Sequence, residues 1–480
     1  MTDRALELLR SRPDLAEQAA FPFDFDIDRA YHVEEVRLAS GASLEAIAGD
    51  ATGGTYFLCG GTAVLHASSD GYASLLADSV TEALEILVRL PWWCEDVTAG
   101  LDEEGLRAAV RRGDAEAREE FAPDLDAQRE ALVRGLGLPD RPLAELHALA
   151  EAATRRTEPD FLLLNAEELC AYRLEESYRQ PLRDIVLGPG REVLERMRRG
   201  DSAAREEAAA DPVLRAGVLR ALCEDRRDGD LPVLRFLLEC ENAVRSERHE
   251  ERWLAAELVA AYGRPEDVPL LRAATAGLIT DAASAVAWAR AREREHAEDR
   301  ERAESAFVWA DLAHRQGRVE HARTALVRLL DDTGPDADRL RRLSRALERL
   351  GDHAQAARAR SWLLSLQETP RDRASEAYVL ARLERRTGDR AAASRALDRA
   401  REALDAYPEG YRLGLGRRVT EEHLELTLAA AGAGEVGLAR TTMAHGERLL
   451  ERIGGNAAKA LSALSTRARW TVAALRPPAS

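Results

Sequence analysis

Two near-identical hexapeptides, Asp230-Leu231-Pro232-Val233-Leu234-Arg235 and Asp267-Val268-Pro269-Leu270-Leu271-Arg272, stand 37 residues apart. An internal repeat of that length limits the architectures open to a chain more than any other feature of this one. The residues ahead of each copy align as well: Arg215 with Arg252, Leu219 with Ala256, Leu222 with Val259. Each copy reads as a helix, a turn carrying Asp-x-Pro, and a second helix with proline in its first turn. The missing proline N–H costs nothing there, because that position has no intrahelical acceptor. A second rhythm is centred on Gly317, Gly351 and Gly388, at intervals of 34 and 37. Five residues after each glycine comes Ala322, Ala356 or Ala393, and seven before it Ala310, Ser344 or Ala381. Small residues are expected where two helices touch, and glycine in the turn between them. One helix pair cannot bury its apolar face alone, so stacking is required.

The first pattern resembles HEAT repeats and the second resembles tetratricopeptide repeats. The expected layout is HEAT-like over 201–300 and tetratricopeptide-like over 301–480. A looser copy uses Gly434 and Ala439 after an irregular Tyr407–Gly416 stretch, and a capping helix covers Ala457–Leu475. Such a solenoid presents a face for binding; the alternative is a spacer. Residues 101–200 are expected as a helical connecting region: Glu103–Arg112, Asp114–Glu120, Ala127–Leu136, Ala144–Arg155 and Ala166–Glu176, a break at Gly188-Pro189-Gly190, then Arg191–Arg199.

Residues 1–100 differ in kind. Phe21 to Asp28 alternates apolar and acidic, a strand period that sends Phe21, Phe23, Phe25 and Ile27 inward and Asp24, Asp26 and Asp28 outward. Val33–Ala39, Ser43–Ala48, Gly54–Cys59, Ala63–Ala67 and Leu75–Asp78 read as further short strands. Ser79 caps a helix Val80–Leu90, with Glu82 three residues on. The expectation is a small antiparallel sheet with a helix, an α+β domain, followed by a mainly α-helical solenoid. Across all 480 residues, 45% hydrophobic and 32% charged content suits several folded units rather than one core or a disordered chain.

The net charge of −17 is uneven. Residues 1–125 hold 25 acidic side chains against 10 arginines, a net of −15, while the remainder nets −2. Such a field repels nucleic-acid backbones and attracts basic partners. Lys459 is the single lysine. The arginine bias reads as the imprint of a GC-rich bacterial genome, not as nucleic-acid binding. With five cysteines and no CxxC pair, no signal-like N-terminus and no long apolar run, a reduced, cytoplasmic protein without a membrane span is expected.

No phosphate-binding loop, HExxH or nucleophile elbow occurs. The ten histidines are scattered and read as solvent-facing or capping. Asp24, Asp26, Asp28 and Glu35 match positions one, three, five and twelve of a calcium loop, but Arg29 fills the glycine position and the flanks are not helical. No metal, cofactor or catalytic residue is therefore expected. With Glu34 and Glu35 the three aspartates form an acidic stripe, either a contact for a basic partner or an edge kept soluble by charge. Trp92 and Trp93 either anchor that interface or close the core between sheet and helices.

Ala48-Gly49-Asp50-Ala51-Thr52-Gly53-Gly54-Thr55-Tyr56-Phe57-Leu58, the strand near Ala63–Ala67, and Leu76-Ala77-Asp78-Ser79-Val80-Thr81-Glu82-Ala83-Leu84 together resemble the SUKH superfamily over about residues 20–95. The likeness lies in its G-D-x-x-G strand and its A-D-S helix start; Val80 and Ala83 stand where that family carries aromatics. The resemblance implies a binding domain without a catalytic centre, found in many immunity proteins that neutralise bacterial toxins and in regulatory or scaffolding proteins. The expected function is non-catalytic protein binding that occludes a basic toxin or effector through Asp24, Asp26, Asp28, Glu34, Glu35, Trp92 and Trp93. The alternative is a scaffold working through its solenoid.

Overall fold

A computed structural model describes residues 3–90, 101–174, 181–244, 250–298, 306–412 and 414–475. Trp92 and Trp93 lie outside them. The chain divides into two compact units, Met1–Ala325 and Leu326–Ser480. Among the described residues no helix is long and apolar enough to cross a membrane.

The first unit opens with α1 (Arg4–Ser11) and α2 (Pro13–Ala20), then β1 (Val36–Leu38), β2 (Leu44–Gly49), β3 (Thr55–Cys59), β4 (Ala63–Ala67), β5 (Ala73–Ala77) and α3 (Val80–Arg89). Strands β2-β3-β4-β5 form an antiparallel sheet in sequence order. Every residue of β3 and β5 is buried, because both faces are covered. One face packs Ile47, Tyr56, Val64 and Leu76 against Leu6, Leu84, Leu132 and Leu146. The other packs Phe57, Leu65 and Leu75 against Leu38, Ala153, Leu163 and Tyr172. The covering residues come from α1, β1, α3, α4 (Glu103–Glu120), α5 (Leu125–Leu136), α6 (Leu143–Arg155), β6 (Leu163–Asn165) and the segment that holds Tyr172, with the short α7 (Thr157–Asp160) following α6. Segments written after residue 101 thus complete the sheet's surroundings.

Several local expectations need correction. Phe21–Asp28 is not a strand. Phe23 and Phe25 are buried as the alternation requires, but Phe21, expected inward as well, is exposed, and the Asp26 carboxylate accepts the Asp28 N–H (2.9 Å) and draws Ile27–Arg29 into a 3-10 turn. Ala166–Glu176 is not a helix over its described residues. The Asn165 side chain accepts the N–H groups of Glu167 and Glu168, and the turn returns the chain to bridge Leu164 with Ala171 and Tyr72 with Arg173. The two helices expected on either side of Gly113 are one, α4. Asp114, the expected start of the second, is instead buried and held by a two-pronged fork from Arg129 at 2.6 and 2.7 Å.

Helices follow: α8 (Leu182–Arg198), α9 (Ser202–Ala210), α10 (Pro212–Glu224), α11 (Leu231–Ala243), α12 (Glu250–Ala260), α13 (Val268–Ala274), α14 (Ala282–Glu298), α15 (Ala306–Arg315) and α16 (Val319–Asp331), within which the first unit ends. Gly188-Pro189-Gly190 does not break α8. Gly188 has no Cβ to clash with the proline ring, which relaxes the usual bar on helical geometry before proline. Gly190 lets α10 approach closely. A Cβ on Gly190 would stand 2.4 Å from the Gly217 carbonyl carbon, whereas one on Gly217 would meet nothing nearer than 3.6 Å.

The 37-residue spacing recurs as an ion-pair rule. Arg198 grips the buried Asp230 at 2.9 and 2.7 Å, and Arg235, 37 positions on, grips the buried Asp267 at 2.5 and 3.1 Å. The aspartate of each Asp-x-Pro turn is thus held by an arginine from a preceding helix.

The second unit contains α17 (Ala337–Arg349), α18 (His353–Ser365), α19 (Pro370–Thr387), α20 (Arg390–Asp405), α21 (Leu415–Gly432), α22 (Val436–Ile453), the short α23 (Gly455–Ala460) and α24 (Ser462–Ala474). The helices pack as consecutive pairs, α17 on α18, α19 on α20 and α21 on α22. Gly351, Gly388 and Gly434 turn the pairs with φ of 79°, 93° and 77°. Ser344, Ala356, Ala381, Ala393 and Ala439 are buried between helices. The Ser344 hydroxyl donates to the Ala356 carbonyl (3.0 Å), and Arg360 joins Ser344 to Glu376. His423 corrects the reading of the histidines as surface groups. It is 1% exposed, and neither ring nitrogen has a hydrogen-bond partner.

Two outcomes follow. Gly190→Ala lowers stability by roughly 1–3 kcal/mol through overpacking, while Gly217→Ala is neutral or gains up to about 1 kcal/mol in helix propensity; urea denaturation of both variants tests the order. Burial, then the charges of His445, Arg401 and Arg448, push the His423 pKa down from 6.5 to about 3, with Asp398 lying 3.6 Å from His445. The unfolded chain therefore binds the extra proton between those values, and stability falls as pH drops below about 6.5. His423→Leu should remove about 2–3 kcal/mol of the loss seen between pH 7 and 4.5, measured as the difference between parent and variant denaturation curves.

Candidate functional site

Residues 24–35 run along one margin of the sheet, and three local devices fix their course. The first is a backbone contact. Asp26 and Gly49 exchange both N–H···O bonds at 2.9 Å, and a Cβ on Gly49 would lie 2.7 Å from the Arg29 carbonyl oxygen. Only glycine admits the segment at that distance.

The second is the Asp50 carboxylate. One oxygen accepts from Thr52 N (2.7 Å), Thr52 Oγ1 (2.9 Å) and Gly54 N (2.8 Å); the other lies 2.8 Å from His66 Nε2. Burial opposes the charge, but these donors, His66 foremost, outweigh it and hold the carboxyl well below the usual carboxylate range. Tyr56 packs its ring on His66, 4.8 Å between centroids. The Gly49-Asp50 pair is therefore a turn-closing device, and so is Ser79, which accepts the Glu82 N–H (3.1 Å). Asp78 makes a two-pronged pair with Arg156 at 2.8 Å.

The third is His32. Its Nδ1 lies 3.0 Å from Thr55 Oγ1 and its Nε2 2.9 Å from the Tyr172 hydroxyl. Thr55 Oγ1 also reaches the Tyr31 carbonyl (3.0 Å), and the Tyr172 hydroxyl reaches Glu34 (3.0 Å). Burial, then the Glu34 carboxylate, push the Tyr172 pKa up. Burial also lowers that of His32, against the pull of Glu34. A neutral ring has one N–H, so with Thr55 donating to Tyr31, the single tyrosine proton is shared between His32 and Glu34.

The expected site residues fall as follows. Asp24 is exposed on a residue with φ 55°; partial burial of its carboxyl and the charge of Asp50 push its pKa up. Asp26 is committed to the Asp28 N–H and to Arg29 at 3.3 Å. Asp28 and Glu35 are exposed. Glu34 is exposed and accepts from Tyr172 and from Asn165 (3.0 Å). The stripe is thus divided: Asp26 is taken up by the turn, the Asp24 carboxyl is partly buried beside Asp50, Glu34 is held by Tyr172 and Asn165 at the surface, and Asp28 and Glu35 face outward. Beside Glu35, whose carbonyl accepts the Ala166 N–H (2.8 Å), the 165–168 turn adds the exposed Glu167 and Glu168. Sequence reasoning missed that pair by assigning it to a helix. It also missed Tyr31 and Val33, exposed by 69% and 86%. Their polar flanks were the available signal.

Among the described residues no group of three or more His, Cys, Asp or Glu is placed to hold a metal ion. What the margin offers chemically is carboxylates and two apolar side chains on a fixed backbone. Neither a protein-family model nor a curated protein sequence matches the chain.

Asp50→Ala would leave His66, Gly54 and Thr52 without their acceptor and should cost about 3 kcal/mol or more, with Asp50→Asn costing less; chemical denaturation of the two variants checks the ranking.

Proposed function

We propose that the chain is a non-catalytic protein-binding protein whose acidic N-terminal surface captures a basic partner, as an immunity-type protein occludes a toxin or effector. The observation that carries this reading is the set of exposed acidic residues Asp24, Asp28, Glu34, Glu35, Glu167 and Glu168 along one margin, the first four within residues 1–125, whose net charge is −15. Electrostatic steering of that kind speeds encounter with cationic proteins. The motifs resembling the SUKH superfamily support the same role, with Asp50 closing a turn and Ser79 capping a helix. A cytoplasmic location belongs to this reading.

A second reading is a regulatory scaffold in which HEAT- and tetratricopeptide-like helices stack into a solenoid that does the binding. It is favoured by a groove of about 460 Å³ in the second unit, lined by Ser361, Leu364, Arg373, Arg399 and Glu402.

One experiment separates the two. Full-length protein and its Asp24→Asn/Asp28→Asn/Glu35→Gln variant are used for affinity capture from native lysate at low and high salt, read by mass spectrometry. A basic protein held by the parent, released by salt and lost from the variant supports the first reading. Partners held equally by both would move recognition to the helices.

A further inference from the structure

Tyr31 and Val33 are large apolar side chains that folding leaves in water, 69% and 86% exposed. Single exposed apolar residues are ordinary, and some have a local partner: Phe21 and Phe121 pack together at 5.9 Å between ring centroids. Tyr31 and Val33 differ because the residue between them is clamped. His32 is bonded at both ring nitrogens, so the side chain between the two exposed ones is held against Thr55 and Tyr172. The backbone is tied on both sides as well. Tyr31 N–H donates to the Arg29 carbonyl (2.7 Å), its carbonyl accepts from Thr55, and the Glu35 carbonyl accepts from Ala166. A loose loop could fold these side chains down; this one holds them out.

Around them stand Asp28, Glu34, Glu35, Glu167 and Glu168, all exposed. Of the nearby cations, Arg29 is turned to Asp26 (3.3 Å). An aromatic and a branched aliphatic side chain on a fixed backbone, rimmed by like charges, has the make-up of an interface hot spot. Fixing them beforehand also spares the ordering cost on binding. The rim carboxylates choose the partner's sign, and the tyrosine ring can accept an arginine or lysine over its face.

We infer that Tyr31 and Val33 are the apolar anchors by which this surface docks a basic polypeptide segment that carries an apolar side chain between lysines or arginines. The inference rests on the basic-partner reading above but fails separately from it.

The test uses the full chain and two synthetic peptides of alternating lysine and arginine, one with a central leucine and one with serine in its place. Binding is followed by fluorescence anisotropy for the parent, for Tyr31→Ser/Val33→Ser, and for Asp28→Asn/Glu35→Gln/Glu167→Gln/Glu168→Gln. All substituted side chains are exposed, and thermal melting confirms that each variant folds. The parent should prefer the leucine peptide by about tenfold. The Tyr31/Val33 variant should lose that preference and still bind the serine peptide, and the carboxylate variant should lose both. A preference that survives in the Tyr31/Val33 variant, or is absent from the parent, overturns the anchor assignment alone. Undiminished binding by the carboxylate variant, or no binding of either peptide by the parent, overturns the basic-partner reading with it.

Discussion

Val36–Leu38 pairs antiparallel with Leu163–Asn165, Val36 opposite Asn165 and Leu38 opposite Leu163. This short ladder is the contact on which the N-terminal margin depends. It seats Leu38 and Leu163 on the second face of the main sheet. It also brings Asn165 and Tyr172 under Glu34, and Tyr172 in turn holds His32. The arrangement runs from strand pairing, to a polar chain beneath the loop, to the side chains the loop shows to water.

Charge burial is the second theme, and it explains what the arginine-rich composition accomplishes. Asp114 with Arg129, Asp230 with Arg198 and Asp267 with Arg235 are buried carboxylates each met by both prongs of a guanidinium. Glu85 is fully buried with Arg89 and Arg141, and Glu376 with Arg360. A carboxylate taken from water is tolerated only when its lone pairs are met in good geometry. The planar five-donor fork does this where a lysine ammonium would not. Such pairs fix the register of helices whose contacting residues are mostly alanine and leucine. Similar small side chains alone would allow neighbouring helices to slip.

Legibility followed the range of the interaction. Ser79 as an N-cap, the small residues at Ser344, Ala356, Ala381 and Ala393, and the Asp-x-Pro turns are local or periodic devices, and the sequence displays them directly. What it hid is long-range. The expected helix Ala166–Glu176 has good helix formers, but over its described residues Asn165 and a strand partner far upstream override propensity. Gly188-Pro189-Gly190 looks like a stop, because the facing Gly217 that makes a glycine useful lies on another helix. His423 looks like any other histidine, since burial is not written in the residue. At the candidate margin the acidic residues were readable by counting. Their division, with Asp26 taken up by the turn and Asp28 and Glu35 facing outward, was not, and Tyr31 and Val33 emerged only once His32 had a known partner.

Glu34 and Tyr172 are 138 positions apart, so the polar chain beneath the loop spans a large part of the first unit. A ribosome delivers residues 24–35 early and Tyr172 much later. Until then the emerging chain carries the carboxylates, but nothing holds His32 inward or Tyr31 and Val33 outward. The surface is thus timed as well as shaped: during translation the newborn chain offers only a diffuse negative field, and its contoured face arrives when Tyr172 comes into place beneath the loop.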